Sequence, residues 1–468
     1  MSTADRKPVN ILMIHSDQHR YDCLGYHGHR QLQTPRLDRL AAEGVDFSHA
    51  FTPTPICSPA RASLVTGQWP SQHRCINIPP FEGYTPLRAE GPLLWELLHQ
   101  AGYKQAHIGK FHKETAEEPP AYGVDIYVPE EEGYDAWRQE QGLPERVRTN
   151  GWFGEIDPGI TAEQSRVAWG ARETISAMER FAASGQPFMV RWDPSEPHLP
   201  NMIAPELADL YPPETIEPWP SFPDPLEDKP AIQAQQRRTW GTADWSWKQW
   251  SPVVSRYLAE ITHLDEHIGR VLDRLEALGL AENTLVIYST DHGDLCGAHG
   301  MMDKHFMMYD DVLRVPLTLR WPGVLPAGEV CDAFVTHELD LAATICEAAG
   351  IEQPAWFEGR SLIDVVTGND PQPRDSSFSM YHGCQLGLFT SRSVRDRRWK
   401  YVWNLTTEDE LYDLDTDPAE LVNRIGDPAC SDERNRLRLR MIGWCESIGD
   451  LILNEFTRPQ LETPGVKP

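Results

Sequence analysis

Two apolar runs rich in β-branched residues, "VNILMIH" at residues 9–15 and "NTLVIYST" at 283–290, each lead almost directly into an aspartate. A strand with no polar alternation is buried on both faces, as in a parallel sheet covered by helices. Asp17 and Gln18 follow the first run in "HSDQ", and Asp291 and His292 follow the second in "TDHG". Between them, "PLLWELLHQAGYKQAHIGKFH" reads as helix, Gly turn, strand and a loop carrying Lys110 and His112. "QPFMVRWDPSEPHLP" reads as a strand entering a proline-broken loop with His198. Further on, Leu258, Ile261, Leu264, Ile268, Val271, Leu272 and Leu275 recur at helical spacing up to Gly279. The alternation predicts an α/β fold with a mostly parallel central sheet flanked by helices. Ligands of such sheets bind at the carboxyl ends of the strands, where these polar clusters fall.

At 468 residues the chain exceeds one ordinary domain. We expect a large catalytic region over 1–372 and a small C-terminal subdomain over 373–468, divided near the linker-like "PQPRDSS". The short strand-like runs "SFSMYH", "SRSVRDRRWKYVWN" and "ELYDLDTDP", then an amphipathic stretch at about 433–453, predict an antiparallel sheet with one helix. Residues 200–252 are rich in proline and tryptophan, including Trp240, Trp245, Trp247 and Trp250. This insertion reads equally as a lid or as a loop pinned by its aromatics.

Asp and Glu number 70 against 43 Lys and Arg, a formal charge of −27. Such a surface repels nucleic acid and anionic membranes, so neither is an expected partner. An anionic substrate would need a local cationic pocket. No apolar run is long enough to cross a bilayer and no signal peptide is visible, so the expected location is cytoplasmic. The nine cysteines, at 23, 57, 75, 296, 331, 346, 384, 430 and 445, are odd in number and scattered. They suggest neither a disulfide framework nor a zinc pair, and each reads by default as a reduced thiol.

Asp17, Gln18, Asp291 and His292 form an oxygen-rich donor set suited to a hard divalent cation, Ca²⁺ above all, with Mg²⁺ and Mn²⁺ as alternatives. Either pair alone also reads as an ordinary helix cap. Lys110, His112, His198 and Lys304 (in "MDKHF") each follow a predicted strand or its loop. Singly they are surface lysines or hydrogen-bonded histidines; ringed around a metal, they would bind a tetrahedral dianion. His15, His19, His73 and His299 read more simply as structural than as lining the mouth. Cys57 stands in "CSPARASLVTG" with Arg61 four residues on. A core thiol, a metal ligand and an activated nucleophile all stay open for it.

"CSPARASLVTG" resembles the signature of the sulfatase family, C-x-P-x-R followed by T-G. "NILMIHSDQHRYDCLGYHG", "TPRLDRLAAEGVDFSHAF", "LLHQAGYKQAHIGKFH", "PHLP", "NTLVIYSTDHGD", "DKHFMMYDDVLRVPL" and "ELYDLDTDPAELVN" resemble successive family blocks in the family's order, from about residue 9 to about 425. The resemblance implies an alkaline-phosphatase-like fold and hydrolysis of small sulfate monoesters to an alcohol or phenol and sulfate. It implies conversion of Cys57 to Cα-formylglycine by a maturation enzyme that reads Pro59 and Arg61. Asp17, Gln18, Asp291 and His292, with the converted Cys57, would hold the metal. Lys110, His198 and Lys304 would bind the sulfate, with Arg61, His112 and His198 taking catalytic roles: Arg61 fixing the nucleophile, His112 orienting the aldehyde hydrate and His198 acting as general acid. Gln18 departs from the commoner second aspartate, as in branches resembling phosphonate monoester hydrolases. Phosphonate monoester or phosphodiester hydrolysis at the same site is therefore the alternative activity. Oligomeric state stays open, a homo-oligomer included.

Overall fold

The computed structural model describes residues 9–78, 87, 90–383 and 385–463. Cys384 and the first eight residues of the chain lie outside that description. The principal sheet has eight strands. In spatial order they are Glu329–Cys331, Val45–Phe47, Leu317–Arg320, Thr284–Thr290, Asn10–Ser16, Phe188–Asp193, Lys104–Gly109 and Ile126–Pro129. Leu317–Arg320 runs antiparallel to both neighbours; the remaining pairings are parallel. The sheet is thus mostly parallel, as the unbroken apolar runs predict.

The central strand shows why those runs do not alternate. Ile11 and Met13 point to one face and pack with Leu64, Leu94, Leu341 and Ile345 from three helices. Leu12 and Ile14 point to the other and meet Leu37, Val167, Met178, Leu264 and Ile268. Both faces are covered, so both sets must be apolar. The long helix Trp247–Ala277 supplies much of the second layer. It begins earlier than its heptad-like spacing suggests, taking Trp247 and Trp250 into its first turn, with Pro252 tolerated near the start.

From that helix, buried Asp265 accepts the backbone N–H groups of Arg36 (3.1 Å) and Leu37 (2.8 Å), capping the helix Pro35–Glu43 from outside. Burial pushes its carboxyl up to about 7, against the pull of those N–H groups. Its folded pKa lies above the unfolded value of 3.8, so folding takes up a proton between those pH values. Its contribution to stability is complete below the unfolded pKa and is lost as pH rises through the folded one. Asp265→Asn should therefore flatten the stability profile between about pH 4 and 7, where wild type falls by up to ~1.4 kcal/mol per pH unit more steeply than the variant. Denaturant titrations of both proteins at four pH values read this directly.

A second sheet of four antiparallel strands, Ser377–Gly383, Phe389–Arg395, Trp399–Asn404 and Glu410–Asp413, is a simple meander. Met380, Val394, Tyr401 and Trp403 on one face pack against Leu437, Met441 and Cys445 of the helix Ser431–Ser447. That helix stops short of the expected 453, since Gly449 turns the chain with a φ of +63°. Tyr381, Phe389, Val402 and Tyr412 on the other face join the cluster containing Phe306, Met307 and Tyr309.

The proline- and tryptophan-rich insertion is pinned. Trp250 is fully buried, Trp219 Nε1 donates to Cys296 O (2.8 Å) and Trp247 Nε1 to Ile216 O (2.7 Å). Within it the helix Ala231–Trp240 sends Gln236 to Met302 O and Arg237 to His299 O (2.9 Å). The segment 296–302 is therefore held against the insertion, and Phe306 and Met308 just after it are held against the C-terminal sheet. No described helix is long and apolar enough to cross a membrane.

Candidate active site

Four neighbouring parallel strands end together at one edge of the sheet. Ser16 pairs with Thr290 and Gly109 with Asp193, so the next residues of each strand project from one line. Asp17, Asp291 and Lys110 all start there. Gly109 has a φ of +113°, and a Cβ on it would sit 2.1 Å from Asp193 O. Only glycine allows the close approach in which Lys110 N donates to that carbonyl at 2.7 Å.

Cys57 is the first residue of the buried helix Cys57–Thr66, aimed at this edge. Pro59 fits within the first turn, where a missing N–H costs no helical bond. Arg61, one turn along, shares a face with Cys57 and is fully buried. Its Nε donates to Asp291 Oδ2 (2.9 Å), Nη1 to Asp193 Oδ2 (2.6 Å) and Nη2 to Asp17 Oδ2 (3.0 Å). Lys110 Nζ also reaches Asp17 Oδ2, at 2.6 Å.

With the Oδ2 atoms engaged, the opposite oxygens face inward. Asp17 Oδ1 lies 3.9 Å and Asp291 Oδ1 3.6 Å from His292 Nε2, and Cys57 Sγ is 3.2 Å from that nitrogen and 3.8 Å from Asp17 Oδ1. One donor atom from each of Asp17, Cys57, Asp291 and His292 lies within 4.8 Å of the others. His292 Nδ1 is 2.9 Å from Gly293 O, so Nδ1 carries the proton and Nε2 turns inward as a ligand should. The cluster draws positive charge. Against the effect of burial, Asp291 and Cys57 lift His292 to about 9. Two carboxylates, an imidazole and the position of Cys57 fit a divalent metal. Gln18, with a φ of +65°, turns its amide elsewhere: Oε1 accepts from Lys304 Nζ (2.8 Å) and Nε2 donates to Asp303 Oδ1 (3.1 Å).

The expected cations are gathered on the near side. Lys304 Nζ lies 2.7 Å from His198 Nε2, and His198 Nε2 lies 4.0 Å from Asp17 Oδ1. His198 Nδ1 faces Leu199 O at 2.5 Å, fixing the ring's orientation. Burial first, then Lys304 and Lys110, hold His198 down at about 4. Lys304 and Lys110 stay charged despite burial, raised chiefly by Asp303 and Asp17 respectively. For the Cys57 thiol, burial favours the neutral form, yet Lys110, Lys304 and His292 together hold it well below the usual range. His112 is lowered by burial and Lys110, and a hydrogen bond to Cys57 opposes them. Two lysines and an arginine are thus gathered beside Cys57 within a strongly acidic protein, the arginine already paired with three carboxylates.

The four other histidines are fully buried away from solvent. His19 bonds Tyr288 Oη (2.5 Å), His73 bonds Ser63 Oγ (3.0 Å), His299 bonds Asp224 (2.6 Å) and His15 stacks on His337. They are structural. Sequence reasoning passed over Asp193, although "FMVRWD" ends a buried strand in acid as the two chosen runs do. It also passed over Asp303, which ties Gln18, Lys304 (3.2 Å) and His305 (3.0 Å) together, and Glu114, whose Oε2 receives His112 N at 2.9 Å. Neither directly ends a strand, although Glu114 shares the loop of His112 and Asp303 adjoins Lys304.

Comparison with known proteins agrees with the geometry. Residues 9–351 match the sulfatase family model, and residues 297–446 match that of the N-sulphoglucosamine sulphohydrolase C-terminal region. An uncharacterized sulfatase of Escherichia coli, YidJ, is 29% identical over 95% of this chain and 88% of its own length. An ulvan-active sulfatase of Formosa agariphila is 27% identical over 94% of this chain and 82% of its own. The crystal structure of a phosphonate monoester hydrolase of Agrobacterium radiobacter superposes with a TM-score of 0.81 at 24% identity, covering 96% of this chain and 99% of that one. The chain accordingly belongs to the sulfatase family of the alkaline-phosphatase superfamily, a family of sulfuric ester hydrolases.

Proposed function

We propose that this protein hydrolyses small sulfate monoesters, with Cys57 converted to formylglycine and one divalent metal, Ca²⁺ in the first instance, held by Asp17, Asp291 and His292 beside it, while the Gln18 amide engages Lys304 and Asp303 instead. The reading rests on one observation above all: Cys57 heads a buried helix with Lys110, His292 and Asp17 converging on its side chain. When bound, the metal would supply Lewis acidity toward the sulfate oxygens and the nucleophile. Conversion of Cys57 would supply a hydrated aldehyde with two hydroxyls on one carbon, the chemistry that both attack and release require. Arg61 fixes the carboxylates and, through its helix, the nucleophile. Lys110 and Lys304 contact the sulfate, each such contact contributing ~3 kcal/mol to the transition state by analogy with a lost oxyanion donor. An anion bound against His198 favours its charged form, in which Nε2 carries a proton, while Lys304 beside it keeps its own charge for the sulfate. His198 then protonates the departing oxygen, and His112 receives a proton when the aldehyde reforms. A maturation enzyme reading Pro59 and Arg61 is the implied partner. Its action leaves the Cys57 peptide ~18 Da lighter in a mass spectrum.

Gln18 favours a second reading. It removes one carboxylate from the site, and its amide oxygen binds Lys304. Sulfate monoesters and phosphonate monoesters both bind as monoanions, so the same charges suit either. The fold neighbour named above is a phosphonate monoester hydrolase. Matched aryl sulfate and aryl phosphonate esters, assayed on protein with Cys57 conversion verified, separate the two. We expect kcat/KM for the sulfate to exceed that for the phosphonate by about tenfold or more, ~1.4 kcal/mol of transition-state preference. The reverse order would make phosphonate hydrolysis the main activity.

A further inference from the structure

His198 sits on a loop, residues 194–201, that leaves the strand Phe188–Asp193. A loop bearing a proton donor needs outside support, since an error of about 1 Å in placing a reacting group costs ~100-fold. The support comes from three helices, of which the long one also reaches the site directly, where Tyr257 Oη donates to Gln18 O at 2.8 Å. Glu130, first residue of the helix Glu130–Glu140, accepts Ser195 N at 3.0 Å and the Ser195 hydroxyl as well. Arg166, first residue of the helix Arg166–Ser184, donates through Nε to Glu196 Oε1 at 2.9 Å and lies 3.7 Å from Glu130 Oε2. On the far side of His198, Asn201 Nδ2 donates to Pro197 O (2.9 Å) and to Glu260 Oε2 (2.7 Å) of the long helix. Glu130, Glu196 and Glu260 are each about 5% exposed and Asn201 1%. These are buried polar groups gripping a loop from both ends, at a cost in desolvation that packing alone does not require. Burial lifts Glu260 to about 8 and raises Glu130 as well, and the charge of Arg166 opposes both shifts.

We propose that Arg166, with Glu130 on one side and the Asn201–Glu260 pair on the other, is a positioning residue that sets His198 against the leaving-group oxygen. The proposal rests on the general-acid role given to His198 above. As the S–O bond breaks, the bonding pair stays on the ester oxygen, and the proton passes from His198 Nε2 to that oxygen. A phenol acidic enough to leave as its anion does not need this proton; a poor leaving group does. The clamp must therefore show itself as a dependence on leaving-group acidity, which a merely structural role would not produce.

The test measures kcat/KM over a series of aryl sulfates from nitrophenols to phenol, on converted enzyme, for wild type, Arg166→Ala, Arg166→Lys, Ser195→Ala, His198→Ala and the double variant Arg166→Ala/His198→Ala. Arg166→Ala should lose little on nitrophenyl esters and ~10–100-fold on phenyl esters, within the ~10²–10⁴-fold of a general acid. Arg166→Lys should recover part of that, and the double variant should be no worse on phenyl sulfate than His198→Ala alone. Ser195→Ala removes one hydroxyl without disturbing the charge balance, so it reports on the clamp even if Arg166→Ala fails to fold; it should show the same tilt on a smaller scale. Equal losses across the series, or additive losses in the double variant, would overturn the proposal. If His198→Ala itself gives a flat series, it is the general-acid assignment that fails, an outcome distinct from a tilted His198→Ala with a flat Arg166→Ala.

Discussion

Cys57→Ala should abolish turnover, by on the order of 10⁶-fold in kcat, as when a covalent nucleophile is lost outright. The fold should survive, because the change removes one atom from a fully buried helix start whose remaining contacts are intact. A melting temperature within a few degrees of wild type, with no product above the uncatalysed rate, is the expected pair of readings. Cys57→Ser is the sharper variant. Its hydroxyl has the right size and reach for one attack, but a sulfated serine has no second hydroxyl on the same carbon to expel sulfate. It should therefore stop at or before one equivalent of released phenol, with the protein heavier by one sulfuryl group if attack occurs. Sustained turnover by either variant would refute the assignment of Cys57 as the precursor of the nucleophile.

Arg61→Ala should be the most destabilising single substitution at the site. Three buried carboxylates, on Asp17, Asp193 and Asp291, each give one oxygen to this guanidinium, and all four side chains are fully excluded from solvent. Breaking one buried ion pair from one side costs ~3–5 kcal/mol, because the remaining charge is left unpaired. Lys110 still compensates Asp17 and Arg191 still reaches Asp193, whereas among the described residues only His292 remains paired with Asp291. We therefore expect ~3–5 kcal/mol of lost stability in urea titrations and loss of activity even where folded protein remains. Arg61→Lys should be nearly as harmful, because one ammonium cannot present three N–H groups in the fixed fork the three acids require. Stability within about 1 kcal/mol of wild type would show that the carboxylates find other partners.

How much of this was legible beforehand depends on the range of the interaction. The sheet was readable because burial on both faces leaves a run such as "NILMI" with no polar interruption. The strand ends were readable because two such runs end in acid at the edge where ligands bind, although either pair alone also reads as a helix cap. Cys57, Pro59 and Arg61 lie within one helical turn, so their pattern survives in the sequence. Asp303 and Glu114 do not announce themselves, since their roles come from contacts with Gln18, 285 positions away in the first case, or from a backbone N–H. The insertion could not be decided from composition, because tryptophans that stack on a ligand and tryptophans that pin a loop look alike. The hydrogen bond from Trp219 to Cys296 O and the full burial of Trp250 tie the segment to the body.

The division of oxygens on Asp17 and Asp291 has a consequence for how such a site diversifies. One oxygen of each belongs to a foundation laid by Arg61, and the other to the ligand side. The foundation is complete without Lys304, Gln18 or His198, which come from loops above it. Exchanging any of those three would leave the charges beneath balanced, so under the proposed function the ester that is cleaved could change with them. Selection for a new substrate would thus act on the roof of the site and leave its footings alone.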